Sequence, residues 1–491
     1  MRTFFRTVAV ATALAAGANA QDAKAVLAAA SKAMGADNLT SITFTGSASN
    51  VNFGQAPASK GPWAGNPITS YVRTITLGAQ PASRATGTQM TPPITGGPPT
   101  PQPFNQNITP ANAAWAQQLE IYLTPWGFLK GAAASNATVS RQKVKGTYDV
   151  VSYMTTQKAP SGSAYKVNGY IDPKTNMIDR VETWLEHPLL GDMLVENVFG
   201  NYRDFGGVKV PMKIQQRRGG DVTFDATLIS ATPNPANVTE LMTPPPPAAG
   251  KGGPAPGAAK GGGPPAAPAV VSEKLAEGVY RITGGYVAMA VEFKTYIMVL
   301  EGPQSEARGL AVIAEAKRLI PNKPIKYVFN THYHFDHSSG LAPFVAEGAT
   351  IITQKNNVEY LSRALSTPRT LLEDALAKSG KQPKFVAVDD KYSIGDGTRT
   401  IEFHHIAKGM NHTNGMLIAF LPKEKVLFQG DFTLPAAGQP ANEFVLALGE
   451  NLKRLKLDYE RYVPVHAPNP DVPWTRADVE KALAAKSEPK K

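Results

Sequence analysis

Among the 491 residues there is no cysteine. That absence excludes disulfides, a thiol nucleophile, thiolate metal ligands, iron–sulfur clusters and a lipid attached to cysteine. Any metal must therefore sit on His, Asp or Glu. Long apolar runs are also lacking. Beyond the N-terminal 20 residues, no stretch approaches the roughly 18 apolar residues that mark a membrane-spanning helix, so no transmembrane segment is expected. Charge is sparse, at 18% of residues, and 50 Lys+Arg against 39 Asp+Glu leave a net charge of +11. The excess is scattered. The longest basic clusters are Arg141-Gln142-Lys143-Val144-Lys145, Lys453-Arg454 and Lys490-Lys491. This is the pattern of a solvated, mildly basic surface, and nucleic acid is not expected as a partner.

Residues 1–20 have a positive start (Arg2, Arg6), an apolar stretch from Val8 to Ala18, and the small-x-small site Ala18-Asn19-Ala20. They read as a secretory signal peptide, which makes the protein periplasmic or secreted. Residues 243–269 are almost entirely Pro, Gly and Ala, with Lys251 and Lys260 as the only charges. Such a stretch cannot offset its ordering entropy and reads as a semi-extended linker. It separates a module over 21–242 from a module over 270–491.

The first module opens on an amphipathic helix over Asp22–Met34, followed by strand-like alternation from Ile42. The Pro/Gly-rich residues 55–107 are expected to contain long loops. Downstream, two hairpins are expected. One turns at Asp172-Pro173-Lys174-Thr175-Asn176 and the other at Asp204-Phe205-Gly206-Gly207. The module is thus β-rich, and its partner is not indicated. Its only histidine, His187, reads as structural. The second module mixes strands (Val291–Leu300, Ile325–Asn330, Thr350–Thr353, Arg399–Ile406, Gly415–Leu421, Val426–Phe428, Tyr462–Val465) with helices (Glu306–Leu319, Val358–Ala364, Glu443–Leu457, Arg476–Ala485). That mixture implies two sheets between helical layers, an α+β class.

Seven of the eight histidines lie in the second module, three of them in Thr331-His332-Tyr333-His334-Phe335-Asp336-His337. This stretch follows an apolar strand. In extended chain His332 and His334 face the same way and can grip one metal, while Asp336 and His337 turn towards a second centre. Four such groups in six positions would repel and desolvate one another without a cation. His412, Asp431 and His466 each lie where an apolar strand meets a loop, and they complete a two-metal set. Thr331 and Thr413 adjoin ligands. His404 and His405 precede the His412 loop but point to opposite faces of a strand.

The H-x-H-x-D-H run at 332–337, His412 in a G-x-x-H-T-x-G context, Gly430-Asp431 and His466 resemble the metallo-β-lactamase-fold hydrolase superfamily over essentially all of 270–491. The resemblance implies a four-layer αββα sandwich with metals at one edge of its sheets. It implies His332, His334 and His412 on the first metal, Asp336, His337 and His466 on the second, and Asp431 bridging. Nitrogen and oxygen ligation suits two Zn²⁺, although the ligand types alone leave Fe and Mn open. The expected activity is that of an exported dinuclear zinc hydrolase. It would direct a metal-bound hydroxide, oriented by Asp336, at an ester, thioester, lactone or similar bond of a small-molecule substrate. A periplasmic β-lactamase is the second reading. Asp431 disfavours it, because this residue resembles the glyoxalase-II-like, lactonase and phosphodiesterase branches instead. A non-catalytic binding or assembly protein is the third. Loops 364–384 and 432–445 are expected to shape the pocket.

Overall fold

A computed structural model describes residues 22–92, 98–110, 114–143, 146–244, 270–407, 409, 412–435, 439, 441–466 and 471–485. The signal peptide reading, and the linker apart from residues 243 and 244, lie outside the described residues. Among the described residues no helix is long and apolar enough to cross a membrane.

The first module is built on an antiparallel sheet of eleven strands. Four strands run in reverse chain order from the edge Thr100–Ile108 to Ser41–Asn50. The last strand, Asp221–Pro233, then pairs with Ser41–Asn50 in the register Ile42↔Pro233. The remaining strands follow in reverse chain order to the far edge, Thr138–Lys143. Both expected hairpins form, one between Ala164–Ile171 and Ile178–His187, the other between Gly191–Phe205 and Val208–Arg218. Residues 55–107 are not mainly loop. They hold the strands Asn66–Thr76 and Ala82–Thr91 and most of Thr100–Ile108. Threonine-rich alternation outweighs glycine and proline there; Pro101 and Pro103 lie on the edge strand, where they are tolerated, and Pro67 sits at the start of Asn66–Thr76.

The helix over 22–34 buries Ala23, Leu27, Ala30 and Met34, one apolar stripe at helical spacing. It shares a core with Trp115 and Trp126 on the short helices Trp115–Tyr122 and Pro125–Ala133, which sequence patterning did not anticipate.

The second module is a four-layer αββα sandwich. Seven strands from Val271–Ala276 to Lys384–Val388 form one sheet, and six from Lys391–Gly395 to Trp474–Thr475 form the other, each in chain order. The faces that meet are lined by Met298, Leu300, Phe329 and Ile352 on one side and Phe403, Ala419, Phe428 and Val463 on the other. Phe329 stacks on Phe403 with ring centroids 4.9 Å apart. Helix Glu306–Leu319 starts where Ser305 accepts from the Arg308 amide and ends on Lys317 and Arg318, which suit the helix dipole. It packs on the outer face of the first sheet. Helices Glu443–Leu455 and Arg476–Ala484 cover the outer face of the second. The expected single strand Val291–Leu300 is a hairpin, Ala288–Glu292 with Ile297–Leu300.

The strands Ile297–Leu300, Ile325–Phe329, Thr350–Gln354 and Lys384–Val388 are parallel, as are Val426–Gln429 and Arg461–Pro464. Parallel strands collect their carboxyl ends at one edge, and those ends are where loops build sites.

Candidate metal centre

Four parallel strands deliver the site. Ile297–Leu300 runs into Glu301, Ile325–Phe329 into the 332–337 loop, Val426–Gln429 into Asp431, and Arg461–Pro464 into His466. Backbone bonds lock these ends together: Glu301 N to Phe329 O at 2.8 Å, Val465 N to Gln429 O at 2.9 Å, and Leu417 N to Thr331 O at 2.8 Å. His337 lies on the single turn Phe335–Ser338.

All seven expected ligand residues converge. His332, His334, His412 and Asp431 bring their ligand atoms within 4.8 Å of one another, and Asp336, His337, Asp431 and His466 do the same. Asp431 belongs to both groups. Its Oδ2 lies 2.6 Å from His412 Nε2 and 3.1 Å from His332 Nε2. Its Oδ1 lies 2.6 Å from His466 Nε2 and 2.8 Å from His337 Nε2. One carboxylate thus faces two imidazole clusters with a different oxygen for each.

The donor chemistry fits cations. His334 Nδ1 and Asp431 Oδ2 are buried and make no hydrogen bond, although Oδ2 is crowded by imidazoles. Unsatisfied buried polar atoms are costly and rare, and a shared cation would satisfy both. Burial, aided by the neighbouring His337, pushes the His332 pKa down to about 4. Burial also holds His334 well below its ordinary value. Both rings are therefore neutral, the state a metal requires. Burial drives His337 the same way, but Asp431 and Asp336 outweigh it and carry its pKa well above normal. Against the penalty of burial, His337 and His332 hold Asp431 well below the usual carboxylate range, and His337 and His466 do the same for Asp336.

Two contributors were not foreseen. Glu301 is completely buried. Thr331 Oγ1 donates to Glu301 Oε2 at 2.6 Å and lies 3.1 Å from His332 Nδ1, while His337 Nδ1 approaches the same Oε2 at 3.4 Å. Both rings can therefore keep hydrogen on Nδ1 and present Nε2 to the centre, the usual outer-shell arrangement around metal-bound imidazole. No sequence motif marks Glu301; its only signal is a charge at the end of a wholly apolar strand. The second is Tyr286, whose ring lies 4.3 Å from that of His466. Burial, reinforced by Asp336, raises its hydroxyl to about 12, so it stays protonated.

Other candidates take no ligand position. His404 bonds to Glu402 at 2.9 Å, and His405 donates to Asn414 O at 3.1 Å. Thr413 Oγ1 accepts from the Gly415 amide, a turn contact. His187 Nδ1 accepts the Leu189 and Leu190 amides, and its ring packs on Phe335 at 4.5 Å. Much of the 364–384 loop docks on the first module, through Arg369 and through Asp192, which accepts the Thr370 and Leu371 amides at 2.9 Å. With Trp184 and Met193 it lines a cavity of about 760 Å³ between the modules.

Residues 301–466, which span every one of these ligands, match the sequence profile of the Metallo-beta-lactamase superfamily. The C-terminal module has the metallo-beta-lactamase fold. Among characterised proteins, this chain is 25% identical over 203 residues to the 2,4-dinitroanisole O-demethylase subunit alpha of Nocardioides sp. (strain JS1661). The match takes in 40% of this chain and 58% of that relative. Among solved structures, a metallo-beta-lactamase from Pontibacter korlensis is 18% identical at a TM-score of 0.33, covering 44% of this chain and 98% of that one. A flavodiiron protein from Giardia intestinalis is 18% identical at a TM-score of 0.32, covering 44% of this chain and 58% of that one. The metallo-beta-lactamase-fold module thus accounts for less than half of the chain, and the profile match over 301–466 does not include the eleven-stranded sheet.

Proposed function

We propose that the chain is an exported, dinuclear zinc-dependent hydrolase acting on an ester, thioester, lactone or similar bond of a small molecule. The observation that carries this reading is Asp431, whose two oxygens face separate His clusters. In this assignment His332, His334 and His412 would hold one ion and Asp336, His337 and His466 the other, with Asp431 facing both. When bound, zinc supplies a Lewis acid and lowers the pKa of water towards 7. The protein's own groups do the rest. Asp336 Oδ2 lies 3.3 Å from His337 Nε2 and 3.5 Å from His466 Nε2, at the join between the clusters, where it can orient the attacking water. Tyr286, protonated beside Asp336, can donate to a developing oxyanion. Glu301 and Thr331 hold the imidazole rings in orientation throughout.

The test is metal analysis of the purified chain, followed by assays on a thioester, a lactone, a phosphodiester, nitrocefin and 2,4-dinitroanisole, the last suggested by the relative's name. Two zinc per chain and ester-type turnover lost in His332→Ala are expected. Fewer than one metal per chain would sink the proposal. Rapid nitrocefin turnover abolished by the same variant would replace it with the β-lactamase reading.

A further inference from the structure

The ligand loops are contacted by the first module as well as by their own. Residues 51–63 of the first module cross them as a strap. Gly54 O accepts from the Phe335 amide at 3.1 Å and Pro57 O from the Asn414 amide at 3.0 Å. The Tyr333 hydroxyl donates to Ala56 O and lies 2.8 Å from Ala58 O, and Phe53 meets Phe335 edge-on at 5.1 Å. The fit is tight at Gly54, where φ is +86° and an added Cβ would lie 2.1 Å from the Phe335 ring.

Two strap contacts reach the ligands themselves. His334 Nε2 lies 2.8 Å from Ala56 O. A carbonyl can only accept, so the hydrogen of this ring sits on Nε2 and the lone pair on Nδ1, the buried atom without a partner. Gln55 Nε2 donates to Asp336 Oδ1 at 2.6 Å, which leaves Oδ2 as the oxygen facing His337 and His466. Each cluster thus has one ligand oriented by the first module.

We infer that the N-terminal module is a structural part of the metal centre: Ala56 sets the tautomer of His334 and Gln55 aims Asp336, so that both ions depend on the strap. Gln55 and Ala56 are positioning residues, and the inference rests on the metal-site reading above. Removing such an outer-shell partner typically weakens metal binding about 10–100-fold.

The test uses the full-length chain, stripped by chelator and titrated with Zn²⁺ against a chromophoric competitor, as wild type, Gln55→Ala, Gly54→Val and Tyr333→Phe. Wild type should bind two equivalents. Gln55→Ala should weaken one equivalent about 10–100-fold and leave the other unchanged, a split that a general loss of packing would not produce. Gly54→Val, which lifts the strap from Phe335, should weaken both, with circular dichroism unchanged. Tyr333→Phe, which loosens the strap but keeps the ring, should shift both in the same direction and by less. If Gly54→Val fails to fold, Gln55→Ala and Tyr333→Phe decide. Two equivalents in wild type with every variant within twofold of it would overturn the strap alone. Fewer than one equivalent in wild type would overturn the metal-site reading and the strap with it.

Discussion

Docking of the two modules turns on Arg369, and its replacement by Met should be among the most damaging single changes outside the metal centre. The side chain is 4% exposed and its partner Asp374 is 1% exposed. Its guanidinium donates to Asp374 Oδ2 and, across the module boundary, to Leu189 O at 3.2 Å and to Pro188 O. Met preserves the volume of the stem and deletes only the polar contacts. Stranding one member of a buried ion pair costs about 3–5 kcal/mol. Each lost carbonyl bond adds about 1 kcal/mol. Asp374 keeps one compensation, the Ala377 amide at 3.0 Å, by which it caps a short helix. That compensation favours the lower end of the ion-pair range, and with two carbonyl bonds at about 1 kcal/mol each the expected loss is about 5 kcal/mol. The double variant Arg369→Met/Asp374→Asn no longer strands a charge and should recover roughly half of that loss. Urea unfolding should be followed both by tryptophan fluorescence, which is weighted to the first module by Trp115, Trp126 and Trp184, and by circular dichroism for the whole chain. In wild type the two probes should coincide; in Arg369→Met they should separate as docking fails before either core melts. A single variant within about 0.5 kcal/mol of wild type, the scatter of ordinary surface changes, would refute the argument. So would a double variant no more stable than the single one.

Glu301→Gln should leave the fold intact and weaken zinc binding about 10–100-fold, because the acceptor shared by Thr331 and His337 loses its charge; competitive titration checks it. Phe428→Ala, at a fully buried position between the sheets, should cost about 3–5 kcal/mol in urea unfolding. Burial, with Arg369 and Arg218 nearby, lowers the His187 pKa to about 3. A depressed folded value means the neutral ring contributes stability above the ordinary value near 6.5, and that contribution is lost as pH falls from there towards 3. The loss is at most about 1.4 kcal/mol per pH unit. His187→Gln should flatten this acid limb in melting curves recorded between pH 4 and 7, and an unchanged limb would contradict it.

How much of this was legible in the sequence depended on whether the signal was local. Helix Glu306–Leu319 matches its expected range because its cap, charges and apolar spacing all lie within its own fifteen residues. The seven candidate ligands, which the fold brings together, stood out because carboxylates and imidazoles crowded at the ends of apolar strands are too costly to bury without a cation between them. The hairpin at Ala288–Leu300 was hidden because its turn, Phe293-Lys294-Thr295-Tyr296, has neither glycine nor proline. That turn closes on the bond from Phe293 N to Tyr296 O and is tied down by a contact far along the chain, Lys294 N to Asp396. Glu301 and the strap were illegible for the same reason. A lone glutamate after an apolar strand, or the run Phe53-Gly54-Gln55-Ala56-Pro57, carries no chemistry until the fold sets it beside groups distant in sequence, as Gln55 is set beside Asp336.

The eleven-stranded sheet has a last consequence. A sheet that does not close on itself ends in two rows of backbone groups that can recruit another strand, and at high local concentration that is an invitation to polymerise. Both borders are defended. Thr100–Ile108 carries Pro101 and Pro103, which have no amide hydrogen to offer, and Thr138–Lys143 is short, exposed and basic through Arg141 and Lys143. Replacing both prolines with valine would leave the pairing with Ala82–Thr91 intact and give the border an unbroken row of donors. The sheet would then be expected to grow by adding copies of itself.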